Sequence, residues 1–100
     1  MENKIIALLR KVKEPIAEMD IVSLGIVSKV MVDDETGKVT VYLDLAHRTP
    51  HHPFEMALNW AVHARIVKDV VNVLGEKFPN LEILDSMTLQ RYYPIEEDEL

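Results

Sequence analysis

The sequence predicts an α+β domain, a two-layer sandwich with helices on one face of a small, mostly antiparallel sheet. Three observations predict it. Two segments carry apolar residues at helical spacing, three others alternate with a period of two, and proline- or glycine-bearing turns separate them. The expected order is helix, strand, strand, helix, strand.

Ile5, Leu8, Leu9 and Val12 recur at helical spacing. The first helix is therefore expected over about residues 3 to 13, with Asn3 as its cap and Pro15 ending it. From Gly25 the period changes. Ile26, Ser28, Val30 and Val32 should share one face of a strand, and Val27, Lys29 and Met31 the other. The stretch DDETGK reads as a hairpin turn, with Gly37 free to take a positive φ. Val39, Val41, Leu43 and Leu45 then alternate with Thr40, Tyr42, Asp44 and Ala46 as a second strand. A long amphipathic helix is expected from Phe54 to Glu76. Its stripe is Phe54, Leu58, Ala61, Val62, Ile66, Val70, Val73 and Leu74, and Gly75 lies near its C-terminal end. After the FPN turn, a last strand is expected from Leu81 to Arg91, with Leu81, Ile83, Met87 and Leu89 on one face. Asp85 interrupts that face, and nothing in the sequence explains it.

Length and charge narrow the rest. A chain of 100 residues is one domain, expected over residues 1–94, with a disordered acidic tail at 95–100. Of the net charge of −6, Glu96, Glu97, Asp98 and Glu99 supply four, which leaves two on the body and no basic stripe. Nucleic acid is not an expected partner. The chain has no cysteine, which removes disulfides, cysteine nucleophiles and thiolate metal sites and fits a reducing cytoplasm. No apolar run approaches a membrane span, and the charged start does not suit a signal peptide. A cytoplasmic protein with no membrane partner is expected. There is no nucleophile elbow, no glycine-rich phosphate loop and no acid pair with a defined partner, so a non-enzymatic role is expected.

The chemistry concentrates in TPHHP, residues 49–53. Pro53 suits the first helical position, where its missing N–H costs nothing, and His52 would then be the N-cap. Thr49 as cap with Pro50 as first helical residue is the other register. The dipole at a helix N-terminus disfavours imidazolium, which leaves His52 a lone pair for a metal. With His47, His51 and Glu55 it forms H-x₃-H-H-x₂-E, a conceivable mononuclear zinc or iron(II) site. Neighbouring side chains of an extended segment point opposite ways, so His51 and His52 do not suit one ion. His63 lies roughly 14 Å along the helix, too far to join the loop. The plainer reading makes all of these polar surface residues. Trp60, Tyr92 and Tyr93 suit core-edge packing or an aromatic anchor for a partner.

KVKEPIAEMDIVSLGIVSKVMV, a glycine hairpin, LDLAHRTPHHP and a long helix together resemble the PaaD-like and SufT-like iron–sulfur cluster assembly domain, also found fused to Mrp-type ATPases. Glu14 and Pro15 stand at its acidic-proline motif, and Leu24 and Gly25 at the centre of its IV-x-LG-LV segment. Thr49, Pro50 and Pro53 fall in its T-P-x-C-P window, where His52 takes the place of the cysteine. Ile16 replaces a second acidic residue. The resemblance spans residues 12 to 92. It implies an accessory or targeting factor in cluster assembly that acts by protein contact, with assembly proteins or apo-protein clients as partners. No cluster is expected on the isolated chain, which has no thiolate to offer. Two alternatives stand beside it: an interaction module of unrelated role, and a mononuclear metal-binding protein using His52. A homodimer is left open.

Overall fold

The computed structural model describes residues 2–45 and 53–94, the side chains of 53–59 excepted. Its elements run α1 (Glu2–Leu9), β1 (Val27–Val32), β2 (Val39–Leu43), α2 (Pro53–Leu74), β3 (Leu81–Asp85) and β4 (Arg91–Tyr93). The sheet order is β1-β2-β3-β4. β1 pairs antiparallel with β2, β2 parallel with β3, and β3 antiparallel with β4. The α+β class and the expected order hold, with one strand more than the sequence shows.

α1 is shorter than its periodicity. Ile5, Leu8 and Leu9 are buried, and Val12 follows them into the core. The backbone has already tightened by then, with Lys11 N donating to Leu8 O and Val12 N to Leu9 O, both at 3.0 Å. Such three-residue bonds are the tighter turn in which a helix commonly ends.

The first two strands form the expected hairpin. Gly37 has φ +74° and donates to Asp33 O at 2.8 Å, while Asp33 N donates to Lys38 O at 2.8 Å. One detail corrects the sequence reading. Val27 faces Leu43 and Lys29 faces Tyr42, so Ser28 is an extra residue in β1. A bulge of this kind reverses the alternation beyond it. Val27 therefore joins Val30 and Val32 against the core, while Ser28, Lys29 and Met31 are exposed.

β2 is one of the two inner strands. Val39, Val41 and Leu43 are wholly buried and Leu45 is nearly so. Burying one such side chain contributes about 1.5–3 kcal/mol. α2 turns Ile66, Val70 and Leu74 into the same core, with Val62 and Val73 packed at its edge. α1 lies against α2 and β1, and α2 against β3 and β4, so one apolar cluster joins both layers.

The expected strand at 81–91 is two strands. Leu81, Ile83 and Asp85 point inward, then a turn at 86–90 reverses the chain into β4. Met87 and Leu89 are about two-thirds exposed and lie on that turn, not on the buried face, and Leu89 has φ +62°. The physical reason is Asp85, whose side chain captures the N–H groups of residues 87 and 88. Such side-chain capture offers the backbone an alternative to the ladder.

Candidate functional site

Glu14 and Pro15 start a closed loop. The backbones of Lys13 and Asp20 pair as an isolated antiparallel β-bridge, and Glu14 N donates to Met19 O at 2.8 Å. Within it, the Glu14 carboxylate accepts Ile16 N on Oε1 and Ala17 N on Oε2, each at 2.7 Å. Glu18 N returns to Glu14 O at 2.8 Å. An acid before proline makes local sense here: Pro15 presets the backbone of the turn, and the carboxylate takes up the N–H groups it leaves unpaired. Glu14 is thus a brace of this loop, with both oxygens engaged. Ile16, in place of a second acid, is 74% exposed.

The IVSLGIV segment follows as a short run of turns. Asp20 Oδ2 accepts Ser23 N at 2.9 Å. The side-chain hydrogen bond from Ser23, then the backbone one, holds the Asp20 carboxyl below its ordinary range. Leu24 N donates to Asp20 O and Gly25 N to Val22 O, and the chain enters β1 through Ile26 N to Ile21 O at 2.9 Å. Gly25 has φ +76°, a backbone only glycine adopts freely, which accounts for its place. Asp44 N then donates to Ile26 O at 2.8 Å, fastening this segment to the end of β2.

Between these turns and α2 lies a pocket of about 220 Å³, lined by Glu14, Ile16, Leu24, Ile26, Leu45, Val62, His63 and Ile66. It brings the sequence motif positions Glu14 and Leu24 beside Leu45, the last described residue before the 46–52 segment. His63 was set aside in the sequence, yet it lines this pocket. Burial lowers its pKa from the ordinary value of 6.5, and the nearby charges of Asp85 and Glu14 oppose that only in part. The ring is therefore biased towards the neutral form, with one nitrogen able to accept a proton or bind a metal.

Of the residues the sequence nominates for a metal, His47, His51 and His52 lie outside the described residues, as do Thr49, Pro50 and the acidic tail. Glu55 stands in the first turn of α2, its side chain not described. The helix begins at Pro53, the register in which residue 52 directly precedes it. Among the described residues, no three His, Asp or Glu side chains gather as a metal set. A resident iron–sulfur cluster calls for several thiolates and the chain has none, so its residues do not fit that group.

On the far side of His63 a wider groove of about 660 Å³ runs between α2 and β4, lined by Trp60, Val67, Val71, Tyr92 and Tyr93 among others. Trp60 is 61% exposed, whereas Tyr92 and Tyr93 pack against the core. The Tyr92 hydroxyl donates to Asp85 Oδ1 at 3.0 Å. Burial first, then that bond and the carboxylate charge, push the phenol well above its ordinary pKa.

Asp85 itself is completely buried. Its Oδ1 accepts Leu45 N at 3.3 Å besides Tyr92, and its Oδ2 accepts Met87 N at 2.9 Å, Thr88 N at 2.8 Å and Thr88 Oγ1 at 3.2 Å. The only signal in the sequence was negative: a charge on an apolar face.

No curated protein and no solved structure matches the chain. A family model described as iron–sulfur cluster assembly protein matches residues 2–74, from α1 to the end of α2. That span holds the Glu14 brace, the Leu24–Gly25 turn, His63 and the 49–53 window, and it stops before β3. With well over half its length matched, the chain belongs to the iron–sulfur cluster assembly protein family.

Proposed function

We propose that this protein serves cluster assembly by contact, as a non-enzymatic accessory or targeting factor that brings assembly proteins and apo-protein clients together in the cytoplasm. Family membership supports a role in cluster assembly. The observation that carries the finer reading is the donor set: a chain of this family without a single cysteine has no thiolate to hold the cluster it helps to place. The cluster is then cargo exchanged between partners. The Glu14 loop, the end of β2 and α2 offer a braced surface around one pocket, suited to recognition rather than to covalent chemistry. Among the described residues no helix is long and apolar enough to cross a membrane.

Two measurements test this. The purified chain, incubated without oxygen with ferrous iron, sulfide and a thiol reductant, should stay colourless. Added to a loaded cluster scaffold and an apo-client, it should raise the rate of cluster transfer. A stable cluster on the isolated chain would make it a carrier and refute the proposal, as would a transfer rate indifferent to its presence.

A further inference from the structure

Asp85 lies beyond the matched span and outside every motif, and among the described residues it is the one fully buried carboxylate. Burying a carboxylate is costly unless its oxygens are well supplied with donors. An apolar residue here would continue the inward face of Leu81 and Ile83, and an exposed Asp or Ser would suffice to close a turn. The position of its two oxygens says what the carboxylate does instead. Oδ2 gathers the 86–88 turn, while Oδ1 reaches across the sheet to Leu45 N and is steadied from β4 by the Tyr92 hydroxyl.

Leu45 is two residues past Leu43, the last member of the β2 ladder and the register partner of Asp85. Ser86 N carries the pairing one step further, to Leu43 O at 2.9 Å. Past that point the side chain of Asp85 takes over from backbone pairing. The Leu45 side chain forms a wall of the pocket shared with Glu14 and His63. We infer that Asp85, steadied by Tyr92, is a positioning residue for the candidate site: it fixes the end of β2, and with it the Leu45 wall of the pocket.

Two substitutions in the full chain test this. Tyr92→Phe removes one donor from Oδ1 and leaves the turn alone. Asp85→Asn keeps the size but offers one acceptor oxygen; that oxygen stays with the three donors of the turn, and the NH₂ falls on the side of Leu45 N and the Tyr92 hydroxyl, which can accept from it. Amide hydrogen exchange at Leu45 should quicken by about tenfold in Asp85→Asn and by less in Tyr92→Phe, the loss of one hydrogen bond's worth of protection. Val41, in the middle of β2, should keep its rate. The His63 imidazole reports the site directly: its NMR titration midpoint should move lower in Asp85→Asn, because a nearby negative charge is lost. Quickening spread evenly over β2, or none at Leu45, overturns the inference. Should Asp85→Asn fail to fold, the Tyr92→Phe pattern decides alone. A last arm rests on the proposed function: Tyr92→Phe should lower the stimulation of cluster transfer with the chain still folded. If the unaltered chain stimulates nothing, that reading fails, while Leu45 and His63 still judge Asp85.

Discussion

Helix propensity says that Gly75→Ala should stabilise this protein. Glycine is about 1 kcal/mol worse than alanine in a helix, largely because it leaves the unfolded chain more freedom to lose. The structure predicts the opposite sign. Gly75 follows the last residue of α2, and its N–H donates to Val71 O at 2.7 Å. A Cβ on Gly75 would lie 2.6 Å from that same oxygen and 3.4 Å from Val71 Cγ1. A backbone carbonyl cannot swing aside as a side-chain tip can. Relief requires opening the terminal hydrogen bond, at about 1 kcal/mol, and shifting the turn next to buried Leu74, at about 1–3 kcal/mol by analogy with overpacking. Setting the propensity gain of about 1 kcal/mol against these leaves a net loss of about 1–3 kcal/mol. For a domain of this size that lowers Tm by roughly 4–24 °C. Thermal unfolding followed by circular dichroism measures it. Gly37→Ala is the control, because Gly37 has φ +74° with no atom within 4 Å of the added Cβ, so only the left-handed backbone opposes it, at about 1 kcal/mol. A Tm for Gly75→Ala at or above that of the parent would refute the steric reasoning.

Three further outcomes are expected. Burial depresses the His63 pKa, so the folded state holds its proton less tightly than the unfolded chain; its contribution to stability is complete above about pH 6.5 and is lost as pH falls through the lower folded value. Urea midpoints should therefore drop below that pH, and His63→Gln should flatten the drop; an equal slope in the variant would acquit His63. His52→Cys should give a thiol that alkylates at lower pH than a reference cysteine in the tail, because unpaired N–H groups at the start of α2 favour thiolate, and a pKa at or above the reference would detach residue 52 from the helix end. Deleting residues 96–100 should change Tm by less than about 5 °C, since four like charges in a row add repulsion and no apolar periodicity; a larger fall would show that the tail is docked.

What the sequence reveals depends on how local the cause is. Val39, Val41 and Leu43 alternate because one face of β2 is buried, and that period needs no knowledge of the partner strands. The Glu14–Pro15 loop is legible only as a stop: Pro15 marks the end of α1, but the bonds of the Glu14 carboxylate to residues 16 and 17 and the closure from Glu14 to Met19 leave no periodic trace. The bulge at Ser28 is invisible: a serine suits either face, so the pattern reads smoothly through it. Met87 and Leu89 mislead because apolar residues at period two look the same on a strand and on an exposed turn. His63 and Asp85 escape notice for a different reason. Their relation to Leu45 arises only when α2 carries the chain back over the sheet and β3 docks beside β2, a pairing across 42 positions from Leu43 to Asp85.

That parallel pairing also sets an order of events for a growing chain. β1 and β2 can close as soon as their hairpin exists, but β3 arrives only after the whole of α2 has been made. Until then one edge of a strand reading VTVYL stands open, with unpaired N–H and C=O groups and two valines and a leucine that belong inside. Such an edge is a template for another copy of itself. Lys38 and Glu82, which pair at 3.4 Å where β2 and β3 begin, put charge at the mouth of that edge. A fragment ending at Leu74 would keep both helices and the hairpin and still be expected to aggregate. The segment from Leu81 to Tyr93 is thus first a cover for β2.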